Sequence, residues 1–425
     1  MKQILKRIVV AIISFEARLV LRRHKPKIVA VTGCVGKTST KDAIATILSD
    51  SFDVRKSQKS FNSEIGVPLV VLGCENAWSN PFLWLRNIVK GILVIFEREY
   101  PKWLVLEMGV ERPKDIANLI SWIKPHISVI TALTDIPSHV EFFSGPEAVV
   151  KEKSKILKKL SGDDYAILNN DDYGVHSLKE KVTKAKVITY GFEEGADIIA
   201  SNYHLSKGGI NFKIDFERSI VPVRLQGVFG KHNVYPALAA IAVGKAAGLN
   251  LIKMSESLSS YVSPPGRLRL LEGVKGSFIL DDTYNSSPIA VRAALDTMKD
   301  LDATRKIVVL GDMLELGKYT VEAHKSLAED IIQTGVQFVF TVGLRAKFIA
   351  EGLREKGFDK NNIFEFSSAD EVKKSVEEII EEGDMVLVKG SQSMRMEKIV
   401  EEIMAEPERK GELLVRQSKA WLYKL

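Results

Sequence analysis

Seven consecutive residues, Gly33-Cys34-Val35-Gly36-Lys37-Thr38-Ser39, carry the strongest chemical signal in the chain. They follow a short apolar run, KIVAVT at Lys27 to Thr32, and open a helical pattern from Lys37 to Leu48. The glycines let backbone N–H groups approach a phosphate, the helix N-terminus favours an anion, and Lys37 adds a positive charge. The Thr38 hydroxyl is of the type and position that ligates Mg²⁺ in such loops. The segment is a compact form of the phosphate-loop pattern, so it predicts a nucleoside triphosphate site in a strand–turn–helix unit. Cys34 reads as a loop residue and not as a redox centre.

Further polar residues stand where apolar runs end. Glu107 closes WLVLE, and His139 follows ISVIT by a short loop. An open α/β sheet presents its ligand groups at such strand ends. Lys153 lies in the run Lys151 to Lys155, which by charge pattern alone is a solvated helix face. Asp312 and Glu315 are carboxylates able to hold an ammonium group, and Arg395 could hold a carboxylate by a bidentate pair. An interdomain ion pair is an equal alternative for each of these three.

The elements that must position these groups alternate strand and helix. Strands are expected at Lys27–Thr32, Trp103–Leu106 and Ile127–Thr131, with a helix at Pro113–Trp122 between them. Residues 187–225 are richer in β pattern. A second α/β pattern follows Ser263-Pro264-Pro265-Gly266, with strands at Ser277–Leu280, Lys306–Leu310, Phe338–Val342 and Met385–Val388. The expected fold class is α/β: a phosphate-loop central domain with a mostly parallel sheet, then a Rossmann-like C-terminal domain. The expected boundaries are 1–26, 27–262 and 263–425. Glu406 to Leu425, charged but with Trp421 and Tyr423, is expected as a surface helix.

Composition narrows the setting. The 425 residues are 45% hydrophobic and 27% charged, which excludes a disordered or multi-span membrane chain. Two cysteines, Cys34 and Cys74, supply no disulfide framework and point to a reducing cytoplasm. Residues 1–30 hold eight Lys and Arg against Glu16 alone, a surplus that accounts for the whole net charge of +6. The rest of the chain is close to neutral, which argues against a nucleic-acid enzyme.

The basic N-terminal segment has an uncharged run from Ile8 to Phe15, far short of the ~20 residues of a spanning helix. On a helix Ile4, Ile8, Ile12, Phe15 and Leu19 share a face, bordered by Lys2, Lys6, Arg7 and Arg22 to Lys25. This fits either an interfacial membrane helix or a helix packed on the body. Residues 78–103 hold three of the five tryptophans beside Arg86 and Lys90, a second basic and aromatic apolar stretch with the same two readings.

Ten segments in one order resemble the Mur ligase family, the ATP-dependent amide-forming ligases of cell-wall precursor synthesis, and within it the branch that adds D-alanyl-D-alanine. They are TGCVGKTSTK, FNSEIGVPL, LEMGVERPKDI, SHVEFFSGPEAVVKEKSKIL and AILNNDD, then GKHNVYPALAA, PPGRL, DDTYNSSP, GDMLELG and VLVKGSQSMRME. The resemblance runs from about Ile28 to Val400. It implies that ATP activates a carboxylate as an acyl phosphate, which an amine then attacks. It further implies two Mg²⁺ ions, with Glu107 and Thr38 at one, and His139 with a carbamylated Lys153 at the other. Asn233 and Asn285 would lie near the nucleotide base, Asp282 near the ribose, and Arg267 at the phosphates. Asp312, Glu315 and Arg395 would line the pocket of the amine, D-Ala-D-Ala or a similar molecule. The acceptor would be a muramoyl peptide, small or lipid-linked, met in the cytoplasm or at the membrane face.

The chain departs from the family pattern in several places. Only about thirty residues precede the phosphate loop, where the family has a UDP-gripping domain. Pro236 stands for an asparagine, Gln392-Ser393 for Arg-Gly, and residues 78–103 are an insertion. Two alternatives stay open: another amide ligase of the Mur or folylpolyglutamate type, and a membrane-surface ATPase without ligase activity.

Overall fold

The computed structural model describes residues 2–57, 61–78, 80–418 and 421, with the backbone alone for 2–7. The expected contributions of Lys2, Ile4, Lys6, Arg7 and Tyr423 side chains lie outside the described residues. Two sheets organise the chain. The first has nine strands in the order β2-β3-β1-β4-β5-β6-β7-β8-β9. These are β1 (Lys27–Thr32), β2 (Val54–Lys56), β3 (Trp103–Glu107), β4 (Ile127–Ile130), β5 (Tyr165–Asn169), β6 (Lys186–Gly191), β7 (Ile198–Ser206), β8 (Gly209–Phe216) and β9 (Ser219–Gln226). The first seven pair in parallel, and β7, β8 and β9 form an antiparallel meander. The second sheet runs β10-β11-β15-β12-β13-β14. Its strands are β10 (Arg269–Glu272), β11 (Phe278–Asp282), β12 (Lys306–Gly311), β13 (Phe338–Val342), β14 (Ile363–Phe366) and β15 (Met385–Lys389), and β10 alone is antiparallel.

The expected strands therefore form within a residue or two of their sequence bounds. The reason is visible in burial: β3, β4 and β15 are buried along their whole length. Parallel strands covered on both faces require uninterrupted apolar runs.

Six helices position the functional groups of the first sheet: α1 (Lys2–His24), α2 (Lys37–Ser49), α3 (Gly66–Leu72), α4 (Pro81–Phe96), α5 (Asp115–Trp122) and α6 (Pro146–Ser154). One face of the sheet packs on α2 and the helix Val234–Ala246. The other packs on α1, α3, α4 and α5. The start of α4 is written in Asn80-Pro81: the Asn80 side chain accepts from the N–H groups of Phe82 and Leu83, and Pro81 sits at the first turn.

One expectation is made specific and one is corrected. The stripe of α1 that faces the protein is Ile13, Ala17 and Val20, with Glu16 beside it, while Ile8 and Phe15 point outward. Of the face grouped by sequence, Ile8 and Phe15 are thus outward while Ile12 and Leu19 are half-buried. At the other end, the described residues of 406–425 do not form one surface helix. A short helical stretch to Leu413 gives way to a buried run, Leu414 to Arg416. Arg416 is held there because its guanidinium pairs with Glu397 at 2.7 Å and also donates to the carbonyls of Thr283 and Tyr284.

Candidate active site

Strand order in the first sheet reverses beside β1, whose neighbours are β3 and β4. Ligands of open α/β sheets bind at the carboxyl ends of strands where this happens. The phosphate loop leaves β1 there and enters α2 through Gly36, which has φ 79 and caps the helix. Gly33 is equally constrained: a Cβ at this position would come within 2.0 Å of the Thr131 hydroxyl oxygen.

Nζ of Lys37 curls back to the carbonyls of Gly33 and Cys34, at 2.9 and 3.1 Å. Nζ of Lys153, from α6, donates to the same Gly33 carbonyl at 2.9 Å. Two ammonium groups thus converge on one loop. Burial lowers the pKa of both, to about 8 for Lys153, with Glu107 acting in the opposite sense. Glu107, the last residue of β3, is buried and fully engaged. One carboxylate oxygen accepts from the Thr38 hydroxyl at 3.0 Å, the other from Nδ2 of Asn62 at 2.9 Å.

The carboxyl ends of β11 and β15 close the site from the second sheet. Asp282 ends β11 and pairs with Lys389, the end of β15, at 2.6 Å. Nζ of Lys389 also donates to the Asn285 carbonyl. Burial lowers the Lys389 pKa against the pull of Asp282. Burial likewise holds His232 at about 4, so its imidazole is neutral at pH 7. Arg267 reaches across: Nη2 lies 3.5 Å from the Thr38 hydroxyl and the guanidinium stacks 4.0 Å from the Tyr284 ring centre. Its Nε is buried without a partner among the described residues. Gly266 (φ 67) allows the turn that aims it.

One cavity of about 810 Å³ lies between the sheets. Its lining includes Cys34 to Ser39, Glu107, His139, Lys153, Asn233, Arg267, Asp282, Asn285, Glu315 and Arg395. Gly33 and Asp312 are the two expected residues outside that lining. Asp312 is buried and its Oδ1 accepts the N–H groups of Arg345 and Ala346. Arg395 is partly engaged as well, donating to Glu397 at 2.6 Å and to the Trp421 carbonyl. His139 and Glu315 meet each other at 2.7 Å.

Two polar groups of the site were not singled out by sequence. Asn62 was legible only as part of FNSEIGVPL. Lys389 could have been found from its place at a strand end facing the cavity. Among the described residues no three His, Cys, Asp or Glu side chains cluster as a metal site. The donors present, a hydroxyl, a carboxylate and room for phosphate, still suit Mg²⁺, which takes one or two protein oxygens and completes its shell with phosphate and water.

Residues 88–244 match the family model described as the Mur ligase middle domain, and residues 266–392 match that of the Mur ligase glutamate ligase domain. The UDP-N-acetylmuramoyl-tripeptide–D-alanyl-D-alanine ligase of Bacillus subtilis is 30% identical over 392 residues, covering 92% of this chain and 79% of that protein. This chain belongs to the Mur ligase family. It is an ATP-dependent ligase of the peptide-bond-forming class, EC 6.3.2. The structure of the MurF ligase of Thermotoga maritima in complex with ADP aligns over 95% of this Mur ligase and 84% of that chain, at 25% identity and TM-score 0.76. MurF of Acinetobacter baumannii, at 24% identity and TM-score 0.78 over 92% of this chain and 79% of its own, has the same fold.

Proposed function

We propose that this Mur ligase activates a carboxylate of a muramoyl peptide with ATP and joins it to D-alanyl-D-alanine or a similar amine. The relatives carry these substrates in their names. The observation that carries the reading to this chain is the convergence of Lys37, Thr38, Glu107, Lys153 and Arg267 on one cavity between two sheets.

Lys37 and the N–H groups from Cys34 to Ser39 hold the ATP phosphates. Arg267 approaches the transferred phosphoryl group from the second sheet, so its charge counts fully only when the sheets are together. The substrate carboxylate attacks the terminal phosphorus and ADP leaves; the amine then displaces phosphate from the acyl carbon. Thr38 and Glu107 would hold one Mg²⁺, and His139 with a carbamylated Lys153 would hold a second. The metal supplies charge neutralisation at the phosphoryl oxygens. A lysine pushed down to about 8 has enough neutral amine to take up CO₂. Asn233 and Asn285 face the base, Asp282 the ribose, and Glu315 with Arg395 the amine's charged ends. Asp312 shapes that pocket by fixing the loop at Arg345. The working units are residues 27–262 and 263–425, with 1–26 and 78–103 forming a contact to the cytoplasmic membrane face.

The experiment is phosphate release from ATP and Mg²⁺ with UDP-linked muramoyl tripeptide and D-Ala-D-Ala, omitting each in turn, with mass spectrometry of the product. Release that needs both, with a pentapeptide product, is the expected result. ATP turnover indifferent to the amine would sink the reading.

A further inference from the structure

α4 is built inside out. Its inward residues are Asn87, Gly91 and Val94. Phe82, Leu85, Val89, Leu93 and Phe96 fall on the opposite face and are exposed, Phe82 and Phe96 by 79% and 77%. α1 repeats the arrangement beside it, with Ile8 and Phe15 outward. Arg18, Arg22, Arg23, Arg86 and Lys90 are exposed around these faces. Neither helix carries an outward acidic residue: α4 has none, and Glu16 of α1 is buried so close to α4 that a Cβ on Gly91 would meet its Oε2 at 2.2 Å. Apolar outer faces bordered mainly by cations, with exposed Glu97 at the C-cap of α4 and exposed Glu99 just beyond it, match an anionic bilayer in hydrophobicity and in the sign of most of the charge. No helix of the described residues is long and apolar enough to cross one.

The same helices wall a groove of about 1420 Å³, larger than the nucleotide cavity. Val9 and Val10 of α1, Trp84, Leu85 and Ile88 of α4, and Leu414 from the C-terminal segment give it an apolar lining. Thr38, Arg267, Tyr284, Gln392 and Trp421 line both this groove and the nucleotide cavity. Leu85 belongs at once to the outward face and to the groove. The groove, mostly apolar but with Lys41, Asp42, Lys56 and Glu412 also in its walls, thus extends from the bilayer-matching face to Thr38 of the phosphate loop.

We propose that this groove receives the carrier of a lipid-linked acceptor, a muramoyl peptide whose diphosphate bears a polyprenyl chain, while α1 and α4 rest on an anionic membrane. This rests on the ligase reading above. A soluble nucleotide carrier would gain nothing from an apolar passage, whereas a lipid carrier leaves the bilayer only where such walls replace it.

The test compares two acceptors on the full-length enzyme, the same muramoyl tripeptide carried on UDP or on polyprenyl diphosphate in phosphatidylglycerol-containing vesicles, with product detected by mass spectrometry. The expected result is a kcat/KM at least about tenfold higher for the lipid-linked acceptor, a preference reduced by about tenfold in Leu85→Glu. Leu85 is 60% exposed, so the variant should fold, which its thermal melt checks. Phe96→Glu, at the far end of the outward face, should weaken flotation with the vesicles. Equal use of both acceptors, or preference for the UDP-linked one, overturns the proposal and leaves the ligase reading standing. Ligation of neither overturns both.

Discussion

Nδ1 of His139 lies 2.7 Å from Oε2 of Glu315, and both residues hold left-handed backbone angles, φ 67 and 65. His139 comes from the loop after β4 and Glu315 from the loop after β12, so the contact joins the two sheets at the rim of the cavity. Left-handed residues other than glycine cost energy that their surroundings must offset, and two such residues in contact mark this rim as a constrained place.

Glu315→Gln should loosen that rim. The hydrogen bond from His139 holds the Glu315 carboxyl below its ordinary value of 4.5. Its stabilising contribution is therefore complete above pH 4.5 and is lost as pH falls through the lower folded value. Glu315 is 41% exposed, so water limits the loss in the variant to about 1 kcal/mol or less. Melting curves of both proteins at pH 7 should differ slightly and converge in acid. A larger effect is expected in KM for the amine, rising several-fold while KM for ATP stays put.

Asn62→Ala should act through Glu107. Removing the amide leaves a buried carboxylate oxygen without its donor and lets the carboxylate turn. The Mg²⁺ concentration for half-maximal ATP turnover should rise by about tenfold or more, the usual effect of losing a group that orients a metal ligand. An unchanged Mg²⁺ dependence would remove Glu107 from the metal site.

Lys153 offers a pH signature. Its amine titrates at about 8 in the folded protein because burial penalises the cation. Folding therefore gains stability as pH rises from about 8 towards the unfolded value near 10.5. Uptake of CO₂ needs the neutral amine, so bicarbonate should restore activity to CO₂-depleted enzyme faster at pH 8.5 than at pH 7. A ¹³C carbamate resonance from labelled bicarbonate should be present in the natural protein and absent in Lys153→Arg.

Asp281 should reward neutralisation. It is fully buried, its Oδ2 has no partner among the described residues, and burial raises its pKa to about 6. A raised carboxyl pKa costs stability above that value, on the order of 3 kcal/mol for a shift of this size. Asp281→Asn should melt higher than the natural protein at pH 8, with the gain shrinking as pH falls below 6. Scanning calorimetry at several pH values reads this directly.

The parallel strands and the phosphate loop were legible because both rest on local patterns: an apolar run such as KIVAVT, and glycines bracketing Lys37. The pairing of Asp282 with Lys389, or of Asp312 with the N–H groups of Arg345 and Ala346, joins residues more than thirty positions apart, and no local pattern encodes it. α1 stayed ambiguous for another reason. Periodicity groups Ile8, Phe15 and Leu19 correctly as one face, but it cannot say which face is inward when the opposite one, Ile13, Ala17 and Val20, is apolar too. The C-terminal segment hid its buried Arg416 because an arginine reads as exposed until its carboxylate and carbonyl partners are known.

Thr38, Arg267, Tyr284, Gln392 and Trp421 belong to two chambers at once. On the reading proposed above, a change at any of them should alter nucleotide handling and acceptor entry together, so natural variation there should be doubly penalised. The far wall, on α1, α4 and residues 411–418, carries no such double duty. Divergence of acceptor preference among descendants of this enzyme should therefore accumulate on that wall, leaving the five junction residues as the slowest-changing part of the passage.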